Sequence, residues 1–229
     1  MVCTRIWGIF SLMWSSNAQA SRFERARQGL CATALVVFTL GCSADAKPSA
    51  TEPPASMWIG AVLGTEVKVA LADRNGAVEL FFCGGPDSYA TKTRWFVEGA
   101  LLEAPFSFTS GGWSVEGNVR ERVASGSLRA DSDEPAAWTA IAADPATIAG
   151  LYEGSAPCGK LGLIVTQPAA DDEPTGQGAC LRVEGERVIV EQVNPVRLSP
   201  LSARDEILVT VASAPDERFT VRPVANVAQ

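Results

Sequence analysis

Four glutamates, Glu79, Glu98, Glu116 and Glu153, stand on or beside β-prone segments and could supply a carboxylate pair for acid–base hydrolysis. Such chemistry needs two acids facing each other across a cleft, roughly 5 to 10 Å apart. Alternation along solvent-facing strand positions explains the same residues equally well. Two acidic runs, Asp131-Ser132-Asp133-Glu134 and Asp171-Asp172-Glu173, are oxygen-rich enough to suggest Ca²⁺, which takes six to eight oxygen ligands. Neither has the Asp-x-Asp-x-Asp-Gly spacing with a distal Glu, and each is followed by Pro, so both read as solvated turns. No metal site is expected. Trp58, Trp95, Trp113 and Trp138 could line a sugar or peptide groove by stacking. Phe81, Phe82, Phe96, Phe106 and Phe108 alternate around them, which places three or four of the Trp in a core and at most one at a surface.

The sequence holds no histidine. The commonest general base near neutral pH and the commonest zinc ligand are therefore absent. This removes Ser-His-Asp and Cys-His hydrolases and every imidazole zinc site. No C-x-x-C pair replaces them, and Gly84-Gly85 and Gly111-Gly112 lack the Lys-Ser/Thr of a phosphate loop. No catalytic residue and no cofactor is assigned.

The N-terminus carries an address. Arg5 followed by the apolar run 6–14 and Ala18-Gln19-Ala20 is one export signal. A second is better formed: Arg22, Arg25 and Arg27, an apolar core from Leu30 to Leu40, then Leu40-Gly41-Cys42-Ser43. Eleven residues of helix reach about 16 Å against a hydrocarbon core of about 30 Å, the size of a signal helix rather than a membrane span. The Leu40-Gly41-Cys42 ending resembles the lipobox of bacterial lipoproteins, with Thr39 where that family usually has Leu. The resemblance implies cleavage before Cys42, lipidation of Cys42 and a membrane partner through that lipid anchor. Residues 1–41 are then an export signal, and 42–56, rich in Ala, Pro, Ser and Thr, a tether.

Four arginines and one acid precede Cys42, so the remainder holds 15 basic and 25 acidic residues, a net charge near −10. Nucleic acid would be repelled. Export also bears on the thiols. Cys83, Cys158 and Cys180 remain after lipidation of Cys42, in a compartment where disulfides persist. The favoured bridge is Cys158–Cys180, closing a loop that contains the polar run 169–178. Cys83, in Leu80-Phe81-Phe82-Cys83, reads as a buried small hydrophobe.

The elements that must position all these groups are strands. Short β-prone segments at 58–62, 67–71, 77–83, 94–97, 106–109, 113–119, 125–130, 136–142, 161–166, 179–183, 187–192, 207–211 and 219–221 are punctuated by Gly, Asp, Asn and Pro. Asp73-Arg74-Asn75-Gly76 is a strong hairpin turn. Asp144 to Gly150 is the one plausible helical turn, with Asp144 as cap and Pro145 next. The fold class is all-β, an antiparallel β-sandwich or small barrel, behind the N-terminal signal helix. Residues 57–152 form a Trp-rich β domain, and 153–229 a second β unit or an extension.

Within the first of these, Trp58-x-Gly60-x-Val62-x-Gly64-Thr65, Phe82-Cys83-x-Gly85, Trp95-x-x-x-Gly99, Ser125-Gly126 and Gly150-Leu151-Tyr152 resemble a small domain of uncharacterised exported bacterial proteins. The resemblance implies a β fold outside the cytoplasm and no activity. The sequence thus points to a non-enzymatic lipoprotein of the cell envelope, on the periplasmic or cell-surface side, whose β domain binds or supports an envelope protein or glycan. The alternative is a carboxylate-dependent hydrolase of envelope polysaccharide, marked by two acids converging in a cleft with a nearby exposed Trp. A third option, an inhibitor of a foreign hydrolase, would use Pro168 to Gly178 as a rigid loop pinned by the disulfide.

Overall fold

The computed structural model describes residues 57–74, 76–97, 105–131, 133–185, 187–198, 201 and 205–224. The export signal, Cys42, the tether, Asn75, Glu98 and Ser132 lie outside the described residues. Every regular element among those described is a strand, and all pair antiparallel.

Eight strands form the first sheet: β1 (Met57–Val62), β2 (Lys68–Arg74), β3 (Ala77–Cys83), β4 (Arg94–Phe96), β5 (Phe106–Ser110), β6 (Trp113–Arg120), β7 (Val123–Arg129) and β8 (Ala136–Ala142). Their spatial order is β4-β3-β2-β1-β8-β7-β6-β5, so β1 pairs with β8 and only β4 and β5 are edges. The sheet curls until those edges come within side-chain reach, with the Phe96 and Phe108 ring centroids 5.7 Å apart. Its hollow is filled rather than open. Trp58, Trp113 and Trp138 pack there with Phe82, Phe96, Phe106 and Phe108, Phe82 meeting Trp138 edge-on at 6.2 Å. Gly117 makes room for this packing, since a Cβ there would stand 2.5 Å from Trp138 and 2.7 Å from Phe106.

The remaining strands, β9 (Gly150–Ala156), β10 (Gly159–Thr166), β11 (Thr175–Glu184), β12 (Arg187–Pro195), β13 (Ile207–Val211) and β14 (Ala214–Pro223), close a six-stranded barrel in sequence order. Closure abolishes free edges. Leu161, Leu163, Val165, Cys180, Val193, Val209 and Val221 fill its interior. The sulfurs of Cys158 and Cys180 stand at disulfide distance, with Cα atoms 6.1 Å apart.

Between sandwich and barrel, the outcome is one nearly closed sheet and one closed barrel. The changeover falls in 143–149, a few residues before the expected boundary at 152, because Leu151 and Tyr152 already belong to β9. No helix forms over 144–150. Asp144 accepts at Oδ1 from the Ala146 N–H (2.9 Å) and at its carbonyl from Thr147 N (3.0 Å), which closes one turn. Thr147 and Ile148 then leave it to be buried against the barrel.

The two β units share a third core. Ala70, Ala72, Phe81 and Cys83 from the first sheet meet Leu151, Ile164, Ala179 and Val224 from the barrel. Strand β3 is thus covered on both faces: Val78, Leu80 and Phe82 point into the first hollow, Phe81 and Cys83 toward the barrel. Two-sided burial is why the run Leu80-Phe81-Phe82-Cys83 is continuously apolar instead of alternating.

Candidate functional site

Alternation along β3 puts Glu79 on the same face as Phe81 and Cys83, where only 2% of it is exposed. A carboxylate in that position needs cations and hydrogen bonds. Three side chains from three other strands supply them. Trp95 of β4 donates its indole N–H to Glu79 Oε1 at 2.6 Å. Lys160 of β10 donates to the same oxygen at 2.8 Å. Arg74, at the end of β2, holds Nε 3.0 Å from Oε2, within ion-pair range but off hydrogen-bond alignment. Both cations also reach Glu153 of β9: Arg74 forms a short ion pair with Oε1, and Lys160 stands 3.1 Å from Oε2.

The structure therefore brings Glu79 and Glu153 together beside Trp95, with two cations between them. Burial alone would raise the Glu153 carboxyl. Hydrogen bonds from Arg74 and Lys160, and the charges of both, outweigh it and hold this group below its ordinary value. Trp95 is engaged as well, its ring centroid 4.4 Å from Phe81 and Lys160 Nζ 3.8 Å above it. Gly162 of β10 permits this contact, because a Cβ there would overlap the Trp95 ring and stand 2.8 Å from Phe81.

A groove of about 840 Å³ runs beside the cluster, lined by Arg74, Glu153, Ser155, Thr220 and Arg222. Arg222 donates to Glu206 at 2.6 Å, so both arginines of the groove already serve carboxylates. A second polar seam joins the units across Cys83. Gln177 Nε2 donates to the Cys83 carbonyl at 2.6 Å, and the Tyr89 hydroxyl donates to the Glu191 carbonyl. Burial pushes the Cys83 thiol up to about 12, which leaves it protonated and unreactive at neutral pH.

The other residues singled out in the sequence lie elsewhere. Glu116 is exposed on the outer face of β6, between Ser107 and Ser127. Asp133 pairs with Lys92, and Asp172 Oδ2 accepts from the Ala169 N–H at 3.0 Å. Among the described residues no group of three metal-ligating side chains converges. The disulfide does not pin the loop between β10 and β11. Cys180 pairs in register with Leu161, whereas that hairpin turns beyond Thr166 and Thr175. Residues 175–178 already belong to β11, and Gln167 holds the loop by donating to the carbonyls of Ala170 and Asp172.

Arg74, Lys160, Tyr89, Gln177 and Gly162 were not foreseen as site residues. One signal was present: a single carboxylate inside the apolar run Val78-Glu79-Leu80-Phe81 demands a partner if both faces are buried. Sequence offers no means of choosing Lys160, 81 positions away. Set beside known proteins, the chain matches no family model, no curated protein and no solved structure. The fold and the cluster define a two-unit, all-β protein whose most buried charges join its parts.

Proposed function

We propose that this chain is a lipoprotein of the cell envelope, anchored through Cys42, whose β units form a non-enzymatic binding or structural module. One observation carries the non-enzymatic half: the two carboxylates that converge are each held by both Arg74 and Lys160. A general acid must keep its proton near working pH, and the cations around Glu153 favour loss of that proton. A nucleophilic carboxylate must face substrate, and Glu79 faces Trp95, Lys160 and Arg74. The lipobox-like Leu40-Gly41-Cys42 and the bridge Cys158–Cys180 support an oxidising, extracytoplasmic setting.

The hydrolase alternative expects two acids converging in a cleft beside an exposed Trp; Glu79 and Glu153 converge, but Trp95 is half-buried with its ring and N–H engaged, and that reading is tested directly. Full-length protein and its Glu153→Gln variant are incubated with purified envelope polysaccharide, and release of reducing ends is followed. Neither should release any. Release by the wild type that disappears in a folded Glu153→Gln variant would establish the hydrolase instead.

A further inference from the structure

The contact between Lys160 and Glu79 presses an amine against a carboxyl where two β units meet. Lys160 Nζ stands 2.8 Å from Glu79 Oε1, although 81 positions separate the two residues. Glu79 is buried, and Trp95, packed on Phe81 and Gly162, lies against it. Two charges held in such a place carry a desolvation cost that a neutral link between the same atoms would not. The groups are also prepositioned by strand pairing on both sides. Well-aligned groups in contact reach effective concentrations of about 10⁵–10⁸ M, which offsets the excess water that opposes the same condensation between free molecules.

The neighbours supply what joining an amine to a carboxyl requires. A second carboxylate must take a proton from the nitrogen, and Glu153 Oε2 lies 3.1 Å from Nζ. A positive charge must steady the oxygen on which negative charge develops, and Arg74 Nε lies 3.0 Å from Glu79 Oε2. The indole N–H of Trp95, 2.6 Å from Oε1, holds the carboxyl in place. The Lys160 side chain is 37% exposed, which leaves a way out for released water.

We propose that Lys160 and Glu79 condense to an amide that ties β10 of the barrel to β3 of the first sheet, with Glu153 as the proton carrier. One ammonium proton passes to Glu79 Oε1 along their hydrogen bond, leaving a neutral amine and a carboxylic acid. The nitrogen attacks the Glu79 carboxyl carbon, and Oε2, beside Arg74, takes the negative charge. Glu153 removes a second proton from the nitrogen and gives it to Oε1, which departs as water. The third proton stays on the amide nitrogen, Oε2 becomes its carbonyl, and Glu153 returns to carboxylate with Arg74 still paired to it. No oxidant or reductant takes part. The bond joins the two units covalently, whereas the bridge Cys158–Cys180 lies within the barrel alone.

The test is tryptic digestion of the denatured and reduced full-length protein, followed by tandem mass spectrometry. A free Lys160 is cut, releasing 75–92 and 130–160 as separate linear peptides. The amide blocks that cut and yields one branched peptide, 75–92 joined to 130–182, lighter than the sum of its parts by one water. Wild type should give the branched peptide. Lys160→Arg, which keeps the charge but has no amine to condense, should give none. A Glu153→Gln variant that folds should give little, since a positioned proton carrier is worth about 100-fold or more in rate. Linear peptides alone from the wild type would overturn the bond. An undiminished branched peptide from Glu153→Gln would overturn the role given to Glu153.

Discussion

Glu79 has 2% exposure and three partners drawn from β2, β4 and β10, so its side chain links strands of the two β units. Removing one partner of a buried pair typically costs about 3–5 kcal/mol, because the other charge is left uncompensated. Arg74 remains beside Glu79 in a Lys160→Met variant, so the expected loss is the lower end, about 3 kcal/mol, read from urea unfolding. An unchanged midpoint would show that the pair adds nothing. Glu153 gives a prediction in pH. Its folded-state value is depressed, so its contribution is present above the unfolded value of about 4.3 and is lost as pH falls through the folded one. Stability of the wild type should therefore decline more steeply below about pH 4 than that of Glu153→Gln. Parallel acid limbs would contradict this.

At the scale of elements, the contact between β3–β4 and β10 depends on a residue with no side chain. Gly162→Ala would drive a methyl into Trp95 and Phe81. Overpacking of this kind costs about 1–3 kcal/mol, and thermal melting of the variant should show it. The bridge between the β9–β10 turn and β11 closes a separation of 22 residues. Replacing Cys158 and Cys180 by Ser should cost about 3 kcal/mol by chain entropy, with the loop at 167–174 unaffected because Gln167 organises it. Nearly all strands were legible, since turn residues and period-two alternation are local signals. Strand β9 was missed because Gly150-Leu151-Tyr152-Glu153-Gly154 carries two glycines, the residue that usually marks a turn. The cluster was legible only in half. Glu79 and Glu153 were named as candidate acids, but their cations come from a hairpin turn and a distant strand, and pairing across a shared core leaves no local pattern.

Across the whole molecule, the two β units share the third core and its polar borders, which should make them unfold as one body. Trp58, Trp95, Trp113 and Trp138 all lie in the first unit, whereas strands of both contribute to far-ultraviolet circular dichroism. Denaturation followed by tryptophan fluorescence and by circular dichroism should give one coincident transition. Two separate midpoints would show that the shared core does not couple them. A lipid on Cys42 would decide where this body is held. Intact mass and membrane fractionation of the protein from a bacterial host, wild type beside Cys42→Ser, test it most directly. The account predicts a chain that begins at Cys42, carries acyl groups and sediments with membranes, all lost in the variant. A mass beginning at Ser21, or an unprocessed chain indifferent to the substitution, would contradict it.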